Sequence, residues 1–223
     1  MDGILYTMRQ TPKRTYGWSP NIAYSVGLIA SDGSLSKDGR HIDLTSVDVD
    51  QLENFSHALG REFRIGKKFN KSKTPAYRIQ FSDVAYYDFL LAVGLTPAKS
   101  LTITRLHIPD KYYADFLRGL FDGDGSCYAY MDKRWRSSYM YYITFTSASM
   151  DFIRFIQASN TRLIGVGAGS VRKGVRAYII AYAKKDALKL FLYMHYHPDV
   201  ICLQRKYNKL VSFTIKNQDA IIL

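Results

Sequence analysis

The chain has 223 residues, and 31 Lys and Arg against 19 Asp and Glu leave a formal net charge of +12. A hydrophobic content of 47% with 14% aromatics excludes general disorder, and the basic balance points to a polyanion or an anionic surface as partner. No run of 18 apolar residues is present to span a membrane, the opening stretch lacks the apolar core of a secretion signal, and two cysteines, Cys127 and Cys202, are too few for a disulfide scaffold or a zinc site; the expected setting is intracellular, cytoplasmic or organellar, with idle thiols.

Ser19-Pro20 places an N-cap and a first-turn proline ahead of Ile22, Val26 and Ile29, so a helix is predicted up to Asp32-Gly33. Gly33 suits a left-handed C-terminal cap. Asp38-Gly39 then forms a two-residue turn between strands at 34–37 and 40–46. Asp48 caps a second helix whose Leu52, Phe55 and Leu59 make an apolar stripe. Strands at 62–69 and 76–82 and a helix at 84–93 follow, then a short link around 95–105 that contains Pro97.

The order then recurs. A helix from Pro109 runs through Phe116, Leu120 and Phe121 to Asp124-Gly125, with Gly125 again as a left-handed cap. A long aromatic hairpin spans 126–147, with Tyr128, Tyr130, Trp135, Tyr139, Tyr141 and Phe145 favouring strands. Most of these tyrosines are read as hairpin packing, with one or two reaching a ligand. Ser149 caps the next helix; strands at 165–171 and 176–182 and a helix at 185–195 complete the half. His195 and His197 are read as a polar helix terminus, not a metal site.

This recurrence is a duplication of sequence. Gly27-Leu-Ile-Ala-Ser-Asp-Gly-Ser34 and Gly119-Leu-Phe-Asp-Gly-Asp-Gly-Ser126 share five of eight residues at an offset of 92. Ile42 to Ser46 matches Ile143 to Ser147 at an offset of 101, as do Ile65-Gly66 with Val166-Gly167 and Ala76-Tyr77 with Ala177-Tyr178. Two α-β-β-α-β-β-α units are therefore expected, residues 1–105 and 106–223, in an α/β (α+β) fold with pseudo-twofold symmetry.

Gly27 and Ser31, like Gly119 and Gly123, are four apart and share one helix face. Small residues there allow two helices to approach closely. If those helices pair about the pseudo-twofold axis, Asp32 and Asp124 meet at the same end. Two carboxylates at the negative ends of two helices repel unless a cation lies between them. Hard anionic oxygens suit Mg²⁺, which polarises a phosphoryl oxygen and activates water. A calcium loop starting at Asp122 is excluded, because Cys127 and Lys133 stand where it needs Gly and Glu.

Ser25-Val-Gly-Leu-Ile-Ala-Ser-Asp32-Gly33 and Leu117-Arg-Gly-Leu-Phe-Asp-Gly-Asp124-Gly125 resemble the paired motifs of the LAGLIDADG homing endonucleases. The resemblance implies a monomer with two antiparallel sheets forming a saddle on double-stranded DNA. It implies a site-specific double-strand break with short 3′ overhangs, and encoding within an intron. Asp32 and Asp124 would bind the metal and catalyse, the carbonyls of Ser31 and Gly123 would add ligands, and Lys99 and Lys206 would lie near the scissile phosphates. Mg²⁺ is the implied cofactor, with Ca²⁺ or Mn²⁺ substituting in binding or cleavage. Ala30 departs from the motif where the second copy keeps Asp122, and Arg118 stands where a small residue is common, so Arg118 is expected to point out of the helix pair. A maturase that assists intron RNA and a catalytically silent DNA-binding module stay open as alternatives.

Basic residues gather in equivalent hairpins of the two halves. Lys67, Lys68, Lys71, Lys73 and Lys173, read as turn-borne, are phosphate candidates. Arg40, Arg64, Arg78, Arg134, Arg136 and Arg176, read as lying within strands, are candidates for base edges. Lys133 and Arg172 complete the set. Alternation puts one face of each sheet on DNA, and which face is left open. With 14 basic against 10 acidic residues up to 105 and 17 against 9 beyond, more phosphate contacts are expected from the second half.

Overall fold

Ser19 Oγ accepts from the Ile22 amide and Pro20 occupies the first helical position, so α1 (Pro20–Asp32) starts where local chemistry favours it. The computed structural model describes residues 14–69, 75–132 and 139–222, and in it α1 is buried without a break from Ala23 to Ala30. A helix buried all round lies at the centre of a protein rather than on its surface. Its companion is α4 (Tyr113–Asp124), which begins after a 3₁₀ turn at Asp110–Tyr112.

The two helices touch through their backbones. A β-carbon on Gly27 would strike the Phe116 carbonyl, and one on Gly119 would strike the Tyr24 carbonyl. The same addition to Gly123 would enter Ser31 Oγ. This close seam is the one that the spacing of small residues predicts.

Each central helix leads into a matching unit. The first comprises β1 (Gly33–Leu35), β2 (His41–Ser46), α2 (Val49–Ala58), β3 (Gly66–Phe69), β4 (Pro75–Ser82) and α3 (Val84–Val93), with strand order β1-β2-β4-β3. The second comprises β5 (Ser126–Met131), β6 (Tyr139–Ser147), α5 (Met150–Ile164), β7 (Ser170–Lys173), β8 (Tyr178–Ala183) and α6 (Lys184–Met194), ordered β5-β6-β8-β7. All pairings are antiparallel. Ile42, Leu44, Ile79 and Phe81 turn inward from the first sheet, and Tyr141, Ile143, Phe145, Ile180 and Tyr182 from the second. Period-2 alternation leaves the intervening side chains on the face turned away from the helices.

The structure departs from the sequence reading at several points. Gly33 and Gly125 are extended, with φ of −84° and −73°, not left-handed. Each enters its strand almost at once, and a β-carbon there would collide with Ile29 or Phe121; close packing, not handedness, requires glycine. Gly165, expected to open a strand, ends α5 with φ of 67°. Ser149 Oγ caps α5 by accepting from the Phe152 amide, whereas the Asp48 carboxylate leaves its own helix and takes Arg205 in a two-pronged ion pair at 2.8 and 2.5 Å.

A further helix, α7 (Gln204–Ile222), has no counterpart in the first unit. It buries Lys206, Leu210 and Phe213 at the 3–4 spacing of one helix face, and Phe213 packs on the Tyr139 ring of β6. Arg118 does leave the glycine seam, but it turns into protein rather than solvent. Its guanidinium donates to the carbonyls of Met194 and Ile201 and to Asp115, all at 2.7 Å, and so anchors the α6–α7 connection.

Candidate active site at the paired helix ends

Close pairing of α1 and α4 brings their last residues, Asp32 and Asp124, to one place. The Asp32 carboxyl is pushed up to about 6, first by burial and next by the charge of Asp124. Asp124 is also raised, first by loss of hydration, although its side chain is the more open of the two. Each carboxylate sits at the negative end of a helix, where a further negative charge is disfavoured.

The neighbours offset this only in part. Gln51 of α2 donates to Asp32 Oδ2 at 2.7 Å, and its own oxygen accepts from Ser46 Oγ. Two buried lysines flank the site. Lys206 Nζ lies 2.6–2.8 Å from the carbonyls of Phe121, Asp122, Gly123 and Gly125, capping α4 from within. Lys99 Nζ donates to the Ser31 carbonyl at 3.4 Å. Burial lowers both, Lys99 to about 8. Both ammoniums are thus directed at the backbone at the helix ends, including the two carbonyls expected as metal ligands. Each of those carbonyls retains a second lone pair.

Asp122, the additional acid of the second motif, is fully buried and accepts from Tyr24 Oη at 2.8 Å and from the Leu203 amide at 2.7 Å. It ties α1 to the segment leading into α7. In the first motif Ala30 takes its place, and the twofold equivalent of Tyr24 is Phe116, so carboxylate and hydroxyl are absent together. The first unit also lacks the helix whose entry supplies the amide. Ala30 therefore removes a strut that has nothing to hold, and leaves Asp32 untouched.

The donor set fits a divalent cation. Asp32 and Asp124 supply hard, anionic oxygens close enough for the charge of Asp124 to raise the Asp32 carboxyl, and backbone oxygens stand beside them. A cavity of about 240 Å³ opens against Asp32, lined also by Ser46, Asp48, Gln51, Gly123 and Arg205.

A stability prediction follows from the raised Asp32. Because its folded pKa lies above the unfolded value, its charged form opposes folding; that cost is absent below the unfolded value of 3.8, grows as pH rises, and is complete once pH has risen through about 6. Without divalent ions, Asp32→Asn should raise the denaturant midpoint at pH 7.5, and most of the advantage should be gone by pH 4. An equal gain at both pH values would contradict the assignment.

The basic candidates scatter more than alternation suggests. Arg78 lies within β4 on the outward face and pairs with Asp43. Arg40, Arg64 and Arg176 sit in exposed loops rather than strands. Lys67, Lys68, Arg172 and Lys173 lie within β3 and β7, not in turns. Register with Tyr77 and Tyr178 puts Lys67 and Lys173 on the inward side of their edge strands, while Lys68 and Arg172 face outward. Lys71, Lys73, Lys133, Arg134 and Arg136, with Trp135, lie outside the described residues. Gln51 and Arg205 escaped the sequence reading, which took Asp48 only as a helix cap: their roles depend on α2 meeting α1 and α7, and a lone glutamine gives no periodic signal.

Residues 111–164 match the family profile of a LAGLIDADG-like domain. No curated protein sequence matches the chain. Among solved structures, the homing endonuclease I-WcaI bound to its DNA recognition sequence superposes with a TM-score of 0.62 at 12% identity, covering 92% of this chain and 95% of that one. The LAGLIDADG homing endonuclease I-LtrWI bound to target DNA gives 0.59 at 14% identity, over 89% and 91%. Full-length DUF199/WhiA from Thermatoga maritima gives 0.56 at 13% identity, covering 92% of this chain; the chain spans 63% of that protein's length. Identities of this order show the fold alone. Among the described residues no helix is long and apolar enough to cross a membrane.

Proposed function

We propose that this protein, which has the LAGLIDADG fold and carries a LAGLIDADG-like domain over residues 111–164, is a site-specific homing endonuclease that makes a double-strand break in a long duplex DNA target. The observation that supports this reading is the meeting of Asp32 and Asp124 at the ends of two helices in backbone contact, with each carboxyl raised. A DNA-binding scaffold alone has no need of two mutually repelling carboxylates at its centre.

Asp32 and Asp124 would hold the divalent cation, with the free lone pairs of the Ser31 and Gly123 carbonyls beside them. Mg²⁺ bound there supplies a Lewis acid for the phosphoryl oxygen and lowers the pKa of water. Gln51 fixes the Asp32 carboxylate so that one oxygen is engaged and the other left available. Lys206 locks the last turn of α4 and with it the position of Asp124. Lys99, at about 8, keeps most of its charge at neutral pH and offers it to a phosphate as negative charge develops there. Two equivalent acids in a pseudo-symmetric pair suit two cuts, one per strand, across a narrow groove, which gives short 3′ overhangs. Because one chain supplies both halves, it acts as a monomer. Ca²⁺ would support binding and Mn²⁺ cleavage. The outward sheet faces and the +12 charge supply the duplex-binding surface.

The test is a selection on randomised duplex DNA with Mg²⁺ and, in parallel, with EDTA. Recovery of one long site with short 3′ overhangs in Mg²⁺ alone supports the proposal. Enrichment by binding without cut ends at any divalent ion would reduce the protein to a DNA-binding module. Absence of DNA enrichment together with binding of structured intron RNA would establish the maturase reading instead.

A further inference from the structure

The two sheets share a topology but not a surface chemistry. Register puts Ser34, His41, Asp43, Thr45, Arg78 and Gln80 on the outward face of the first sheet. These are hydrogen-bonding groups throughout: Arg78 pairs with Asp43, and Thr45 Oγ1 donates to Asp43 at 3.1 Å. On the second sheet the same face carries Tyr128, Tyr130, Met140, Tyr142, Ile179 and Ala181, interspersed with Ser126, Thr144, Thr146 and Ser170. Tyr142 lies between the other two tyrosines, its ring 4.9 Å from Tyr128 and 6.0 Å from Tyr130, with planes only 16° and 12° apart. Tyr130 is 48% exposed, so the stack is a surface feature and not core. Among the described strand residues of this face, Arg172 supplies the one positive charge.

A β-ribbon in the major groove meets donors and acceptors on every base pair but only one apolar group, the C5-methyl of thymine. Ring faces and methyls offer no partner to the N7, O6 and N4 groups of a G·C pair, and where the tyrosine and threonine hydroxyls do not reach them those groups are buried unpaired, which is unfavourable. The same face gains from covering a methyl. A face of Arg, Gln, Asp and Thr has the opposite preference.

Resting on the endonuclease reading, we infer that the two sheets recognise their half-sites by different chemistry: β5–β8 selects thymine through C5-methyl contact with the Tyr128–Tyr142–Tyr130 stack and Ile179, while β1–β4 reads polar base edges through Arg78 and Gln80. The target is then asymmetric in composition as well as in sequence.

The experiment measures binding in Ca²⁺ to the selected duplex after thymine is replaced by 2′-deoxyuridine, which lacks only the methyl, in one half at a time. Wild-type protein should lose roughly three- to fourfold in affinity per contacted thymine in one half and nothing in the other. Tyr142→Ser protein should no longer distinguish uracil from thymine in the sensitive half, and should bind the other half as before; Tyr130→Ser serves as a second variant. Equal sensitivity in the two halves, or sensitivity that survives both substitutions, would overturn the inference while leaving the endonuclease reading intact. Failure to bind any duplex would overturn both.

Discussion

Asp124→Asn and Asp32→Asn should each reduce cleavage of the selected duplex by about a thousandfold or more, while binding stays unchanged or tightens. The amide keeps the shape of the carboxylate and, at position 32, an oxygen for Gln51, but it removes a negative charge from the space facing the phosphates. Loss of a metal ligand lowers the rate of the chemical step. Loss of a carboxylate beside DNA favours the polyanion. Single-turnover cleavage at saturating protein separates the two effects, because binding then no longer limits the rate. A variant that cuts within tenfold of the parent would show that its carboxylate is not part of the chemistry.

Gly119→Val should be the most destabilising single substitution at the helix pair, by more than about 4 kcal/mol. A β-carbon at Gly119 already overlaps the Tyr24 carbonyl and approaches Gly27. Backbone cannot rotate out of the way as a side chain does, so α1 and α4 must separate along their length. In a chain of this size that is a fall of roughly 10 °C or more in Tm. Gly17→Ala is the control: nothing lies within 4 Å of its added carbon, and a change beyond about 0.5 kcal/mol is not expected. Thermal and denaturant unfolding of the two variants check this directly. A folded Gly119→Val protein of parental stability would mean that the helices do not touch as described.

Much of this was legible in the sequence because it repeats and because its signals are local. Ser19-Pro20 fixes the start of α1 through one hydrogen bond and one ring. The spacing of Gly27, Ser31, Gly119 and Gly123 predicts the helix seam, since only small residues permit it. What escaped the reading depends on contacts between distant segments. Gly33 and Gly125 carry the signature of a left-handed cap, yet tight packing on Ile29 and Phe121 decides their conformation. Asp48 would cap α2 if Arg205 were not within reach. Lys206 is expected near the scissile phosphates, and only the packing of α7 shows that its ammonium is held by four carbonyls at the end of α4. Helix α7 itself was hidden by the repeat, because a reading built on two equal halves has no place for an element present once. Tyr128 and Tyr130 read as strand formers; only the register shows that they share the outward face with Tyr142.

The most direct measurement is Mn²⁺ binding to the complex of the protein with its selected duplex, followed by electron paramagnetic resonance. The parent complex should bind the ion tightly, and both Asp32→Asn and Asp124→Asn should weaken that binding at least about tenfold while the DNA remains bound. Mn²⁺ affinity and stoichiometry unchanged in both variants would contradict a cation held between the two helix ends.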